Sequence, residues 1–223
     1  MSVRFCICST FILFITANLC QVSIAQVGKL YPSDQAARDA SFFVFRARLL
    51  EAIQRRDLPF VLGILSPDIK NSFGGDDGIE GFKKLWKPEQ LDSEFWNTLV
   101  RVIGLGGSFD QAGRFIAPYT FSDFPDSIDG FTHGVVIGEG VRIRRDPKLD
   151  APVVGTLSFD ILKVVDWNPK LSASVKEKWV LVSMRDGGNG YVAASYIRSP
   201  IDYRAGFDRK DSKWFLTFFV AGD

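Results

Sequence analysis

Residues 140–157 read GVRIRRDPKLDAPVVGTL. Within them, residues 141–144 alternate two apolar side chains with two arginines, a pattern that predicts a β-strand with one buried face. A turn containing Pro147 follows, and a second apolar run stops at Gly155. The stretch therefore predicts two short strands joined by a polar turn. Its basic strip is either a binding site or the charged rim of a small barrel.

Short β-rich runs continue on both sides of this stretch, from Gly134 to about residue 198. They are separated by Gly, Asp and Pro, which are the residues that favour turns. Short strands punctuated in this way predict a small all-β barrel.

Six sequence elements follow one another in this region: a V-x-I-R strand, a Pro turn, V-x-G-x-L, W-x-x-V, D-G and a closing G-Y-V-x-x-x-Y-I. They stand at 141–144, 146–147, 153–157, 179–182, 186–187 and 190–197. In this order and spacing, the segment 134–198 resembles a bacterial SH3 domain. The resemblance implies a five-stranded barrel with a binding role. In exported bacterial proteins such domains commonly bind cell-wall peptides or protein partners.

Three features of the segment depart from the pattern of that family. Arg142 stands where the family usually has Asn, Tyr191 stands where it usually has Trp, and the loop at 168–178 is long. The two substitutions leave the barrel intact but alter any ligand groove, and the long loop changes one rim of it. Arg144 stands where the family keeps an arginine, which implies that it lies across the barrel and bonds turn carbonyls.

The chain begins with a segment typical of a secretory signal. Residues 5–19 are almost wholly apolar, Arg4 is the only charge, and small residues precede a cleavage point between Ala25 and Gln26. A membrane anchor, which needs about 20 apolar residues, is one alternative, and a lipoprotein acylated at Cys20 is another. Cleavage would remove all three cysteines. A disulfide-free mature chain favours a periplasmic or secreted bacterial protein without stable membrane insertion.

The flanks of the barrel, 26–133 and 201–223, predict an α+β domain. Four amphipathic helices but only two short strands, at 68–73 and 114–121, precede the barrel. The first helix has one apolar face and can be capped by Ser33 or Asp34. That face is formed by Phe42, Phe45, Leu49 and Ile53.

The tail of the chain supplies two further strand runs, at 203–207 and 214–220. A lone hairpin is marginally stable in water, so the tail needs a sheet to join. We expect it to complete a small antiparallel sheet of the α+β domain, which makes the barrel at 134–200 an insertion. Trp214 and Phe218 are expected to pack on the first helix. Trp214 and the closing residues 219–223 also resemble the last strand of nuclear-transport-factor-type α+β domains.

Charge and residue types exclude several functions. One of the 27 basic residues lies in the signal segment, which leaves 26 against 26 acidic residues. Nucleic acid is therefore not an expected partner, because its binding requires a basic surplus. His133 is the single histidine, and a mature chain without cysteine lacks the usual zinc ligands. The acidic cluster at 76–80 lacks the spacing of a calcium loop and is expected to form a solvated turn. No catalytic residues, metal or cofactor are predicted.

The predicted ligand site is an aromatic groove on the barrel, formed by Trp167, Tyr191 and Tyr196 together with Arg144. Trp167 lies beside the long loop, so we expect it to be the exposed anchor of a ligand. Trp179 is expected to lie in the core because of its strand position.

The function that these patterns favour is that of a non-catalytic, exported envelope protein that binds a peptide, protein or cell-wall ligand. One alternative is a structural subunit whose barrel packs on its own partner domain, in which case the chain itself would fill the groove. The other alternative is an enzyme with acid/base residues in the α+β domain. An enzyme would show a deep pocket with buried Asp or Glu.

Overall fold

The structure, a computed structural model, describes residues 28–173, 175–184 and 187–222. The helices are α1 (Ala40–Arg55), α2 (Leu58–Gly63), α3 (Gly78–Trp86), α4 (Phe95–Gly104) and α5 (Tyr119–Ser122). One sheet contains β1 (Leu65–Lys70), β2 (Ser108–Phe109), β3 (Phe115–Ala117), β11 (Arg204–Lys210) and β12 (Lys213–Val220). The other contains β4 (His133–Val136), β5 (Val141–Arg144), β6 (Val153–Leu157), β7 (Ile161–Asp166), β8 (Trp179–Ser183), β9 (Asn189–Ala193) and β10 (Ile197–Arg198). The fold is therefore mixed α+β with two sheets.

The predicted signal segment, with its cleavage point between Ala25 and Gln26, lies outside the described residues. From residue 28 onward, none of the described helices has the length and apolar character needed to cross a membrane.

The first sheet combines strands from distant parts of the chain, in the order β1-β12-β11-β3-β2. The predicted pairing of the tail is confirmed, because β11 pairs with both β3 and β12. The prediction of a purely antiparallel sheet is wrong, because β1 runs parallel to β12. Parallel pairing requires a long crossover connection, and the whole segment between β1 and β12 provides one.

Helix α1 covers one face of this sheet, and Phe42 is the centre of the contact. The Phe42 ring centroid lies 4.2 Å from that of Phe115, 4.9 Å from that of Trp214 and 5.6 Å from that of Phe207. The indole N–H of Trp214 also donates to the hydroxyl of Ser41 at 3.0 Å. Trp214 therefore packs on the first helix, as predicted.

Helix α1 begins later than predicted, at Ala40, and its cap is Asp39 instead of Ser33 or Asp34. The Asp39 carboxylate accepts hydrogen bonds from the Ser41 hydroxyl at 2.6 Å and from the Phe42 backbone N–H at 2.9 Å. These two bonds, with that from Ser41 the larger cause, lower the pKa of Asp39. Asp34 instead accepts from the backbone N–H at 36, in the short 3-10 turn before the helix.

Phe218 lies on the face of the sheet opposite to α1, so its predicted packing on that helix is wrong. The register of β12 against β11 shifts at Thr217, which is the extra residue of a β-bulge. A bulge breaks the strict alternation of a strand. As a result Phe219, which is fully buried, enters the core in place of Phe218. The ring of Phe218 instead covers Gly206, where an added Cβ would lie 2.0 Å from it.

The second sheet has the strand order β10-β4-β7-β8-β9-β5-β6, and all seven strands fall between β3 and β11 in sequence. Every strand contributes to one apolar core, so the sheet curves around it. The core is formed by Val136, Val141, Ile143, Leu157, Leu162, Val164, Val180, Val182, Val192 and Ile197. Among the described residues β6 and β10 are edges, and no closed barrel is seen. The predicted five-stranded SH3-like barrel is therefore not confirmed.

A third apolar cluster joins the two sheets. Its buried members are Leu30, Tyr119, Val135 and Ile161. Beside it, Lys29 and Asp160 form an isolated antiparallel bridge and an ion pair at 3.0 Å. Burial raises the pKa of Tyr119 to about 12. This phenol is therefore neutral at physiological pH, as its position between the sheets requires.

Candidate functional site

Three neighbouring strands of the second sheet, β8, β9 and β5, form the floor of the candidate site. On these strands Ile143, Val180 and Val192 belong to the apolar core. Because side chains alternate along a strand, the residues next to them face outward. The outward set is Trp179 and Leu181 on β8, Tyr191 and Ala193 on β9, and Arg142 and Arg144 on β5.

The strand register arranges these outward side chains in rows. Trp179 lies opposite Ala193, and Tyr191 lies opposite Arg144 on its other side. Continuing the second pairing along the strands brings Arg142 beside Ala193. Ala193 carries only a methyl group, so a depression forms where it separates an indole from a guanidinium.

This depression is the floor of a groove of about 340 Å³. Leu149, from the turn after β5, and Tyr196, from the turn after β9, complete its walls. Their side chains are 60% and 52% exposed, so the groove has an apolar rim open to solvent. Among the described residues that line it, Glu139 is the one acidic residue. The volume lies near the lower end of the range for ligand sites.

Hydrogen-bond donors dominate the polar groups of the groove. Arg144 donates through Nη1 to the carbonyl of Ala151 at 2.7 Å, which is the turn contact that the SH3 resemblance implied. Trp179 is only 3% exposed, and its indole N–H has no acceptor among the described residues. A buried N–H group without an acceptor carries a free-energy cost, which a ligand that supplies an acceptor removes.

The structure brings together some of the predicted site residues and separates others. Arg144 and Tyr196 line the groove, and Tyr191 lies beside Arg144 on the same outward face. Trp167 lies elsewhere, half-buried against the apolar core. Its ring is so close to Gly134 that an added Cβ there would lie 2.8 Å from Cη2. Trp167 is thus packed as a structural residue and is not part of the groove.

Trp179 is buried, as its strand position predicted, but sequence reasoning did not predict that it also lines the groove. The signal that could have found it is strand parity, because Val180 and Val182 are the inward pair of the same strand. Arg142 attracted attention only as a departure from the SH3 pattern. Ala193 carried no signal, since its role depends on which residues lie beside it on neighbouring strands.

A larger cavity of about 520 Å³ lies on the first sheet, on the face that Phe218 occupies. Its cations are engaged within the protein. Lys70 forms an ion pair with Asp77. The buried Arg204 guanidinium donates to a backbone carbonyl and lies 4.6 Å from the ring centroid of Phe121. Sequence reasoning missed Arg204.

The remaining candidates for chemistry form local structure. Nδ1 of His133 lies 2.9 Å from the carbonyl oxygen of Asp129, in the turn that leads into β4. Asp77 precedes α3 as its N-cap residue, as expected for the acidic turn at 76–80, although its side chain makes no cap hydrogen bond. Over the part of the chain that the structure describes, no group of three or more His, Cys, Asp or Glu residues could hold a metal ion.

The groove on the second sheet is therefore the site whose geometry supports a function. Comparisons of the chain with protein-family models, with curated proteins and with solved structures found no match.

Proposed function

We propose that this chain is an exported, non-catalytic protein of the bacterial envelope that binds a peptide, protein or cell-wall ligand through the groove on its SH3-like second sheet. One observation carries the proposal. The groove combines exposed apolar walls, at Leu149 and Tyr196, with a floor of donors in which the Trp179 N–H lacks an acceptor. A concave apolar site with a few convergent polar groups is the usual form of a ligand site.

The chemistry of the groove supports recognition more than catalysis. Nucleophilic catalysis requires a nucleophile within hydrogen-bond reach of a base. Apart from the exposed Glu139, the polar side chains that line the groove are Arg142, Arg144, Trp179 and Tyr196. Guanidinium and indole groups donate hydrogen bonds and do not accept protons at neutral pH. Such groups hold a ligand in a fixed orientation.

A structural role for the second sheet is the alternative, and the third apolar cluster favours it. Tyr119 on the first-sheet side is buried against Val135 and Ile161 of the second sheet. This contact holds the two sheets together whichever function is correct. The groove supports a binding role as well. Tyr196 and Leu149 on its walls are more than half exposed, so the described part of the chain does not fill it.

Replacement of Tyr196 by Ala is expected to weaken ligand binding without loss of stability. An aromatic side chain at the wall of a recognition groove contributes about 1–2 kcal/mol to binding, or roughly 5- to 30-fold in affinity. Two probes serve the measurement: peptides selected from a random phage-displayed library against the mature protein, and purified peptidoglycan tested by co-sedimentation. Affinity is compared between the wild type and Tyr196→Ala.

Tyr31→Ala is the matched control, because Tyr31 is 62% exposed and lies outside the groove. Its binding should equal that of the wild type. Equal binding by both variants, or failure of both probes to bind the wild type, would contradict the proposed function.

Export is tested on the natively produced protein by intact mass spectrometry. Cleavage after Ala25 is expected to give a chain that begins at Gln26. A diacylated terminus at Cys20 would instead indicate a lipoprotein. A chain that retains Met1 would contradict export by cleavage.

A further inference from the structure

We propose that the ligand of the groove is an acidic peptide, and that one of its carboxylates binds over Ala193, between the Arg142 guanidinium and the Trp179 side chain. The inference rests on the proposed function, since it names the chemistry of the ligand at the same groove.

The first step of the argument is the polarity of the groove floor. Arg142, Arg144 and Trp179 offer only N–H donors, because guanidinium and indole groups have no acceptor. A ligand group that satisfies them must therefore be an acceptor. The single bond from Arg144 to the Ala151 carbonyl does not exhaust that side chain, because a guanidinium carries five N–H groups.

The second step is the sign of the charge. The described residues that line the groove carry two guanidinium groups and one carboxylate, that of Glu139, which gives them a net positive charge. Among acceptors this favours an anion over a neutral carbonyl, because hydrogen bonds between charged partners are shorter and stronger. A carboxylate matches the planar fork of a guanidinium, and its second oxygen can accept from another donor. The row from Arg142 through Ala193 to Trp179 places the indole side chain of Trp179 across the depression.

The third step is the apolar rim, which favours a peptide. Leu149 and Tyr196 present exposed apolar surface beside the donors. A chain that alternates acidic and apolar side chains satisfies both parts of the groove. An extended peptide presents such neighbouring side chains at the spacing of a strand.

The probe is a fluorescein-labelled synthetic peptide of alternating Glu and Leu, compared with a peptide of the same length in which Gln replaces every Glu. Binding to the mature protein is measured by fluorescence anisotropy. The acidic probe is expected to bind at least about tenfold more tightly than the Gln probe. Raising the salt concentration from about 50 to about 500 mM should reduce this preference, because salt screens exposed charges.

Arg142→Gln removes the charge but keeps a polar side chain of similar reach, and it is expected to bring the two probes to within about threefold of each other. Arg145→Gln is the matched control. Arg145 is exposed and adjacent in the chain but does not line the groove, so this variant should keep most of the preference. The indole N–H resonance of Trp179 should shift on addition of the acidic probe to the wild type and remain in place with Arg142→Gln.

Equal binding of the two probes to the wild type overturns the carboxylate inference, and no binding of the acidic probe overturns the acidic peptide as the ligand. The proposed function stands in either case if library peptides or peptidoglycan bind in a manner that depends on Tyr196. Equal losses in Arg142→Gln and Arg145→Gln would show a general charge effect and overturn the placement at Ala193. Binding of peptidoglycan that depends on Arg142, without binding of the acidic probe, would overturn the peptide in favour of carboxylates of the wall.

Discussion

Truncation after Ser199 is expected to unfold the first sheet together with the helices that pack on it. The truncation removes β11 and β12, which lie side by side between β1 and β3. It also removes the four large buried side chains that the tail contributes to the core, those of Phe207, Trp214, Leu216 and Phe219. Burial of four such side chains contributes roughly 6–12 kcal/mol, which is comparable with the whole stability of a domain, about 5–15 kcal/mol.

The measurement is far-UV circular dichroism with urea denaturation of the truncated and mature proteins. The helical signal of α1, α3 and α4 should be lost in the truncated protein. The fragment 134–199 should still melt cooperatively, because the core of the second sheet lies within it. We propose on this basis that residues 26–133 and 201–223 form one domain and residues 134–200 another. A truncated protein with its full helical signal and cooperative melting would contradict this division.

Replacement of Phe42 by Ala is expected to cause the largest loss of stability of any single substitution considered for this chain, about 3–5 kcal/mol. The side chain is fully buried. Its ring lies within 5.8 Å, between centroids, of five other aromatic rings. These belong to Phe45, Phe109, Phe115, Phe207 and Trp214. The substitution leaves a cavity among side chains from α1 and four strands, which cannot all move inward to fill it.

The next residue in the same helix is the control. Phe43 is 53% exposed, so Phe43→Ala should change the free energy of unfolding by no more than about 0.5 kcal/mol. Urea denaturation followed by tryptophan fluorescence measures both variants, since Trp214 lies 4.9 Å from the Phe42 ring. Similar free energies of unfolding for the two variants would show that Phe42 is not the centre of the α1 contact.

Local periodicity in the sequence predicted helices and strands well where the spacing of apolar residues was the main signal. The apolar face of the first helix correctly predicted that Phe42 is buried. The apolar runs of the tail correctly predicted that β11 and β12 pair. The predicted start of the first helix was wrong, because more than one residue before it could act as the N-cap. Three residues before α1 are able to cap a helix, and Asp39 does so because the chain forms a 3-10 turn after Asp34.

Features that depend on contacts across the fold were not predictable from local patterns. The bulge at Thr217 exchanges the sheet faces on which Phe218 and Phe219 lie. The alternation of apolar residues in the tail does not predict this bulge. The groove also depends on contacts between strands that are distant in the sequence. Trp179, Ala193 and Arg142 become neighbours only through the register of three strands. Proximity to a loop favoured Trp167 as the exposed aromatic, but packing against the core holds it in place.

The pairing of β1 with β12 also affects how the protein folds. Leu65 pairs with Leu216, so about 150 residues separate the two partners in the chain. Contacts between residues so far apart in the sequence slow folding, because the long loop between the partners must close before the contact is made. A chain synthesised from its N-terminus can complete the second sheet before β11 and β12 exist. The helices at the start of the chain can therefore pack on the completed first sheet only after its last two strands have been synthesised.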